Sequence, residues 1–322
     1  MEVDFDTVLQ FRSRMMTLEK NGHKPDKAEI IVLGGTFSTY PRSYQEEFVR
    51  DIYYAANTYF DYTENQPRTR YSIELEQEIN ESSKCHIVGF TLETRPDQIN
   101  KAEIERFRYY GCTRVQLGIQ HTNNQILDII NRRHHVEHSI KAIQMLKENG
   151  FKVDIHIMPD LPNSSPKKDR DMFTKLLTTD FLRADQIKIY PCEVTPWTRI
   201  QKWYQEGKYK PYSEICERDL LGVIKYAMEI CPPHVRFPRV IRDIPMSYIE
   251  AGNKYSNLRQ MLHDELVKEG KHSMDIRNRE CGRHPEYKLE DAEYVTREYS
   301  KIYGIATDYF ISAESPDRKV IF

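Results

Sequence analysis

Five short runs of β-branched and aliphatic residues follow one another along the first 195 residues, and each ends in polar or glycine-rich positions. They are EIIVLGG (29–35), KCHIVGFTLE (84–93), RVQLGIQ (114–120), KVDIHIMPDLP (152–162) and QIKIYPCEV (186–194). Apolar runs of this length, bounded by turn residues, are typical of buried strands. The pattern therefore predicts five strands, one in each run.

The segments between these runs have helical periodicity. In HSIKAIQMLKENG (138–150), Ile140, Ile143 and Leu146 recur at helical spacing, and Gly150 supplies a left-handed stop. Strand starts recur at intervals of about 30 to 55 residues, the spacing of β-α units. The sequence therefore predicts an α/β fold built on a parallel sheet or barrel.

In such folds, ligands bind at the carboxyl ends of the strands. Those ends carry Gly34, Gly35, Thr36, Glu93, Gln120, Asp160 and Lys188. A glycine pair is consistent with a simple turn, or with a backbone that a ligand approaches closely. Glu93 and His156 also interrupt apolar runs, where a polar group needs a partner or a ligand. The convergence of these residues predicts a polar ligand site at the strand ends.

After about residue 195 the pattern changes to helices with interleaved basic and aromatic residues. WTRIQKWYQEGKYKPY, HVRFPRVIRDIP and DIRNRECGRHP have a composition suited to phosphates and stacked bases. A solvated charged surface over core aromatics would give the same composition. We therefore divide the chain into a barrel core, 1–195, and a C-terminal extension, 196–322.

Composition limits the partners and the compartment. Lys plus Arg number 47 against 49 Asp plus Glu, for a net charge of −2, so a nucleic-acid surface has to be a local patch. The six cysteines form no CxxC pair, and no apolar run reaches membrane-spanning length, which predicts a soluble cytoplasmic protein without a membrane partner. Three clustered histidines, 134, 135 and 138, lack a metal-ligand spacing, and we predict no metal site.

The motifs VLGGTF, GFTLETRPD, GFKVDIHIMPDLPN, IKIYP, RVIRDIPM and DYFISAESPDRKVIF occur in this order. Through them the chain resembles, over nearly its whole length, the Elongator catalytic subunit family. That is a family of radical S-adenosylmethionine and acetyltransferase enzymes that modify the wobble uridine of tRNA. The resemblance implies a partial parallel (β/α) barrel of radical S-adenosylmethionine type, missing its first strand, with a helical and basic C-terminal extension.

The resemblance also implies roles for individual residues. A glycine-rich turn would hold the methionine part of S-adenosylmethionine through Gly34, Gly35 and Thr36. The rest of the cofactor and substrate site would comprise Glu93, Arg95, Gln120, His156 and Lys188. Lys27 matches a lysine that contacts acetyl-CoA. The implied tRNA-binding residues are Arg132, Arg133, Arg236, Arg239, Arg242 and Arg277.

The chain departs from the family pattern in several places. The family's three cluster cysteines would lie upstream of the first residue, and its acetyltransferase domain beyond Phe322, so we expect no ligands for a [4Fe–4S] cluster. Asp275 and Asn278 stand where some members carry metal-binding residues. Arg133 replaces a glycine, and CEVTPWTR replaces a TLVIRGT-like stretch. The substrate side is therefore expected to differ.

Two functions follow from this pattern. The first is an Elongator catalytic subunit-like protein, linked to C5 carboxymethyl-type modification of the tRNA wobble uridine, that binds tRNA and is catalytically incomplete alone. Its partners would be tRNA and other Elongator subunits or a missing catalytic half. The alternative is a cluster-free pseudoenzyme or scaffold that binds tRNA or Elongator. The sequence identifies no catalytic residue and leaves open whether the chain is an enzyme.

Overall fold

The structure is a computed structural model that describes residues 4–61, 68–302 and 306–322. The chain forms two compact units, Met1–Gln116 and Leu117–Phe322, which are described separately below. The division predicted at residue 195 rests on the change in sequence pattern and stays a prediction.

A parallel sheet contains all five predicted strands. They are β1 (Lys27–Val32), β2 (His86–Thr94), β3 (Arg114–Gln120), β4 (Lys152–Ile157) and β5 (Gln186–Ile189). The sheet order is β1-β2-β3-β4-β5, with β1 parallel to β2 and β4 parallel to β5. This arrangement confirms the predicted α/β fold built on a parallel sheet. Strand β3 contains the boundary between the two units.

The helices of the first unit begin at capping side chains. They are α1 (Thr7–Lys20), α2 (Arg42–Asn57), α3 (Ile73–Asn80) and α4 (Lys101–Tyr109). Asp6, Ser72 and Asn100 each accept a hydrogen bond from a backbone N–H in the first turn of α1, α3 and α4. Helix α2 buries Val49 and Ala55 completely, so it forms the centre of this unit's core.

The second unit contains most of the helices. They are α5 (Asn124–Ile129), α6 (Val136–Glu148), α7 (Pro166–Thr178), α8 (Arg199–Gln205), α9 (Tyr212–Ile215), α10 (Glu217–Glu229), α11 (Leu258–Lys268) and α12 (Ile276–Arg279). Helix α6 is the one predicted from HSIKAIQMLKENG, and Gly150 follows it with a φ of 72°. No helix in the described ranges combines the length and apolarity needed to cross a bilayer.

An antiparallel hairpin of β6 (Glu293–Ile302) and β7 (Ala306–Glu314) was not predicted, because the pattern after residue 195 indicated helices. Its strands mix tyrosine, threonine and charged residues, and the outer positions Tyr294 and Ile311 are well exposed. Two ion pairs, one of them fully buried, attach the hairpin to the rest of the second unit. Lys147 contacts Asp308 at 3.3 Å, and Arg279 contacts Glu314 at 3.0 Å.

Candidate functional site

The glycine turn after β1 is open to an approaching ligand. Gly34 and Gly35 have φ angles of 130° and 116°, which strain any residue with a side chain. A Cβ built on either glycine would meet no atom within 4 Å. Both glycines are therefore required by backbone conformation rather than by crowding. Their peptide groups border open space in which a ligand would fit.

Glu93, near the end of β2, lies beside this turn. Its Oε2 accepts a hydrogen bond from the Gly34 N–H at 3.4 Å, and the side chain is half-buried. The turn and Glu93 border a cavity of about 450 Å³. The cavity's other walls are mainly apolar and aromatic and include Phe11, Met15, Ile30, Phe37, Tyr40 and Tyr44. An apolar cavity of this size with a few polar groups is typical of a small-molecule site.

The other site residues predicted in the first unit have local roles or lie elsewhere. Arg95 donates from Nε and Nη2 to Asp97 at 2.9 and 2.5 Å, and these hydrogen bonds raise its pKa. The carbonyl of Thr36 accepts a hydrogen bond from the Thr39 N–H at 3.0 Å. Lys27 begins β1, so about 20 Å of extended strand separates it from the glycine turn. The structure thus groups only the glycines, Glu93 and the adjoining Thr36.

In the second unit, His156 and Lys188 are register partners on β4 and β5. Burial, together with the positive charges of Lys188, Arg242 and Arg132, lowers the pKa of His156 to about 3. The Tyr190 ring lies edge-on to His156 at 5.6 Å, and the Arg242 guanidinium lies 5.2 Å from the centroid of that ring. A neutral imidazole therefore lies within a group of cations, an arrangement suited to an anionic ligand.

Residues after β3 contribute to the same unit. Gln120 ends β3 with a φ of 72°, and its carbonyl accepts a hydrogen bond from the Met158 N–H at 2.8 Å. Arg132 donates to the Gly118 carbonyl and is half-buried, whereas its neighbour Arg133 is exposed. Arg133 has a φ of 58°, as expected for a residue that replaces a glycine.

The remaining arginines of the predicted tRNA-binding set have carboxylate neighbours. Arg236 and Arg277 both pair with Glu280, and Arg239 pairs with Asp243. Backbone hydrogen bonds from Ile187 and Ile189 to the carbonyls of residues 236 and 239 place this segment along β5. The Arg239–Asp243 pair is exposed, and such pairs are worth little in water, so a phosphate group could displace its carboxylate.

Two of the clustered histidines, His135 and His138, cap helix α6. His135 precedes α6, and its N–H donates to His138 Nδ1 at 3.1 Å, while its Nε2 lies 2.8 Å from Asp128. In the part of the chain that the structure describes, no three His, Cys, Asp or Glu residues form a group that could hold a metal ion. The histidine spacing therefore reflects capping, which the sequence analysis did not identify.

The cysteines do not fit an iron–sulfur cluster. Cys85, Cys112, Cys192 and Cys231 are buried, and Cys216 and Cys281 are exposed. Burial raises the pKa of Cys112 and of Cys192 to about 12, which favours the thiol over the thiolate that binds metal. The described residues thus offer no set of thiolates for such a cluster.

Sequence reasoning did not select Glu193, and it selected Asp160 only as a residue at a strand end. Burial raises the pKa of Asp160 and of Glu193 to about 7. Asp160 accepts hydrogen bonds from the Tyr212 N–H at 2.7 Å and from Ser213. Tyr190 and Glu193 both lie in the QIKIYPCEV run. The signal for Glu193 is a charge in an apolar run, the same signal that selected Glu93.

Two family models match the chain. The model of the radical SAM superfamily matches residues 7–175, which is more than half of the chain. The model of the radical SAM C-terminal domain matches residues 184–268.

Individual relatives match almost the whole chain. A tRNA uridine(34) acetyltransferase of Methanocaldococcus infernus is 39% identical over 99% of this chain and 58% of its own length. Elongator complex protein 3 of Homo sapiens is 33% identical over 98% of this chain and 56% of its own length. The chain thus spans little more than half of these relatives. The solved structure of M. infernus Elp3 with an N-terminal deletion (1–46) is 37% identical, with a TM-score of 0.91, over 99% of this chain and 73% of that one.

Proposed function

This chain belongs to the radical SAM superfamily and, within it, to the Elongator complex protein 3 family, and on that premise we propose that it binds S-adenosylmethionine and a tRNA for modification of uridine 34. The observation that carries the proposal is the open turn at Gly34 and Gly35 with Glu93 beside it, at the edge of a 450 Å³ cavity. Family membership alone would leave the ligand's location on this chain unassigned.

The glycine turn and Glu93 fit the amino-acid part of S-adenosylmethionine. The peptide groups of Gly34 and Gly35 would contact its amino and carboxylate groups, and the Glu93 carboxylate would attract its ammonium. The apolar cavity wall would receive the less polar remainder of the molecule. When bound, the cofactor supplies a sulfonium group that is cleaved by one-electron reduction in this superfamily.

We assign the tRNA to the cations of the second unit. Lys188, Arg132 and Arg242 surround the neutral His156. The segment that contains Arg236 and Arg239 lies along β5. Phosphate contacts of this kind fix the position of a nucleic acid without reading its sequence. Exposed Arg133 and half-buried Arg277 complete the proposed set, and because the whole chain has a net charge of −2, the attraction is confined to this group.

Acetyl-CoA and protein partners are separate proposals. Lys27 is exposed at the start of β1, close to the Lys24–Asp26 ion pair of 2.8 Å, where an ammonium could meet a CoA phosphate. The human relative's name includes the Elongator complex, so other Elongator subunits are candidate partners of this chain. Neither proposal depends on the glycine turn.

A second function is favoured by the cysteines. Four of the six are buried, and no suitable ligand group occurs in the described residues, so this chain would supply binding surfaces without an electron-donating cluster. A cluster-free protein that binds tRNA or Elongator would have this arrangement. We therefore assign no reductive step to any residue of this chain.

Calorimetric titration with S-adenosylmethionine tests the main proposal. Gly35→Asp would strain the backbone and add a negative charge at the turn, and we expect it to abolish measurable binding. Gly22→Asp is the matched control, because Gly22 also has a positive φ, of 87°, and open space around it, outside the cavity. Equal affinities of the wild type and Gly35→Asp for S-adenosylmethionine would show that it does not bind at this turn.

Anaerobic reconstitution with iron and sulfide separates the two functions. The cluster-free function predicts a colourless protein that still binds tRNA, because the buried thiols are protonated and dispersed. A brown protein that absorbs at about 400 nm, with stoichiometric iron, would show that the chain binds a cluster and would refute the cluster-free function.

A further inference from the structure

Trp197 is almost fully exposed, and its backbone is strained. The side chain is 89% exposed, and its φ of 63° lies in the left-handed region. That region is unfavourable for bulky residues, and strain of this kind is retained where the surrounding structure enforces it, often at functional sites. The exposed ring and the strained backbone together make Trp197 a candidate functional residue.

The loop that carries Trp197 is fixed to the segment around residue 250. The Trp197 N–H donates to Gln201 Oε1 at 2.9 Å, and the Gln201 amide donates in turn to Glu250. Val194, just before the loop, donates its N–H to the Ala251 carbonyl at 2.9 Å. These bonds define the backbone around Trp197, so its ring is presented by a supported turn.

A second exposed aromatic ring lies beside it. Tyr248 ends a short 3-10 helix, Met246–Tyr248, and is 47% exposed. Its ring centroid is 6.4 Å from that of Trp197, with an angle of 56° between the planes. The two rings therefore form an open corner, in which the broad face of the indole is accessible to a planar group.

The segment that carries Trp197 is basic, although Glu250 lies beside it and the chain as a whole has a net charge of −2. Residues 195–210 contain four exposed cations and one carboxylate. The cations are Arg199, Lys202, Lys208 and Lys210, and the carboxylate is Glu206. Exposed aromatic rings within a basic segment are the combination by which proteins hold unpaired nucleotides, because the rings stack on bases and the cations attract phosphates.

We propose that Trp197 and Tyr248 form a stacking platform for an unpaired base of an RNA substrate. The loop follows β5, the strand that carries Lys188, so the platform belongs to the same unit as the proposed phosphate contacts. This inference rests on the proposed tRNA-binding function and adds to it a contact with a base. It predicts a preference for RNA with unpaired residues.

Tryptophan fluorescence tests the platform directly, because the chain has only two tryptophans. In Trp203→Phe, Trp197 is the only emitter, and a tRNA anticodon stem-loop should quench it, whereas a fully paired duplex of equal length should not. In the otherwise unchanged chain, Trp197→Ala should weaken stem-loop binding by about tenfold in an anisotropy titration, and Trp197→Phe should keep most of the affinity.

Trp197→Gly distinguishes a binding role from a structural one. Glycine tolerates a φ of 63°, so this variant should have a higher thermal midpoint than the wild type while binding the stem-loop more weakly. A purely structural tryptophan would give a lower midpoint. The two opposite changes are expected only if strain is retained for binding.

Three results would overturn the platform. Wild-type affinity in Trp197→Ala, with the wild type binding tRNA, would refute the platform and leave the proposed function intact. Loss of self-association in Trp197→Ala, with unchanged RNA affinity, would assign the rings to an interface between copies of the chain. Failure of the wild type to bind any tRNA would refute the platform and the tRNA-binding function together.

Discussion

Single buried residues of the second unit have strongly altered ionisation. Burial, reinforced by nearby cations, lowers the pKa of His156 and of His234 to about 3, so both stay neutral in the folded protein. Burial raises the pKa of Glu193 and of Asp160 to about 7. The histidines therefore lower stability as pH falls below their ordinary pKa, and the carboxyl groups lower it as pH rises towards 7.

Glu193→Gln tests this carboxyl group. The folded pKa of about 7 lies above the ordinary value of 4.5, so Glu193 costs stability as pH rises between these values. Relative to the wild type, the variant should gain roughly 2 kcal/mol in free energy of unfolding between pH 5 and pH 8. Urea denaturation at both pH values measures this difference.

The matched control is Glu206→Gln. Glu206 is exposed, and its hydrogen bond to Lys208 lowers its pKa, so it is ionised at both pH values. Its substitution should shift stability by a constant amount between pH 5 and pH 8. A constant difference for Glu193→Gln as well would contradict the raised pKa.

Some residues of the candidate site were accessible to sequence reasoning, and others were not. Gly34, Glu93 and Lys188 were selected because each ends or nearly ends a recognisable strand. Glu193 was not selected because its protonation depends on burial and on Arg242 and Asn253, which lie about 50 residues or more further along the chain. Contacts between residues so far apart in sequence leave no local sequence pattern.

At the scale of elements, the strands of the sheet and helix α6 were predictable because periodicity and glycine stops are local signals. The β6–β7 hairpin was not, because its attachment depends on charges far apart in sequence. Lys147 of α6 contacts Asp185 at 3.1 Å and Asp308 at 3.3 Å. Glu314 accepts hydrogen bonds from Arg279 and Arg297. Such an attachment cannot be inferred from the strands' own residues.

Glu314→Ala should therefore release the hairpin. Glu314 is fully buried, and hydrogen bonds from Arg297 and Arg279 outweigh burial and lower its pKa to about 2. Its removal leaves Arg279, which is 2% exposed, without its carboxylate, at an expected cost of about 3 to 5 kcal/mol in free energy of unfolding. Amide hydrogen exchange in β6 and β7 should rise with this loss.

Glu293→Ala on the same hairpin is the control. Glu293 pairs with Arg318 at the surface, where such a pair is worth at most about 1 kcal/mol. Near-equal losses from the two substitutions would mean that the buried charges do not hold the hairpin. The cost of Glu314→Ala should also disappear as pH falls through about 2, where the wild-type carboxylate is protonated.

At the scale of the whole molecule, a net charge of −2 means that a polyanion is attracted by local groups only. The sequence alone showed several basic stretches and could not select among them. The structure favours the group around Lys188, because Arg242 lies over Tyr190 and the 236–239 segment runs along β5. The sequence pattern of the other basic stretches does not identify what they bind.

The salt dependence of tRNA binding separates local contacts from overall charge. Arg239→Ala with Arg242→Ala should weaken binding by about 1 to 3 kcal/mol and reduce the slope of log K against log salt by about two, because two phosphate contacts are lost. Lys84→Ala with Lys101→Ala removes the same charge from two lysines that are 73% and 90% exposed in the first unit. If binding depended on net charge, both double variants would lower the affinity equally. Electrostatic attraction to phosphate is screened beyond about 10 Å. The lysine double variant should therefore leave the slope unchanged. An equal change of slope in both double variants would contradict a phosphate site at Arg239 and Arg242.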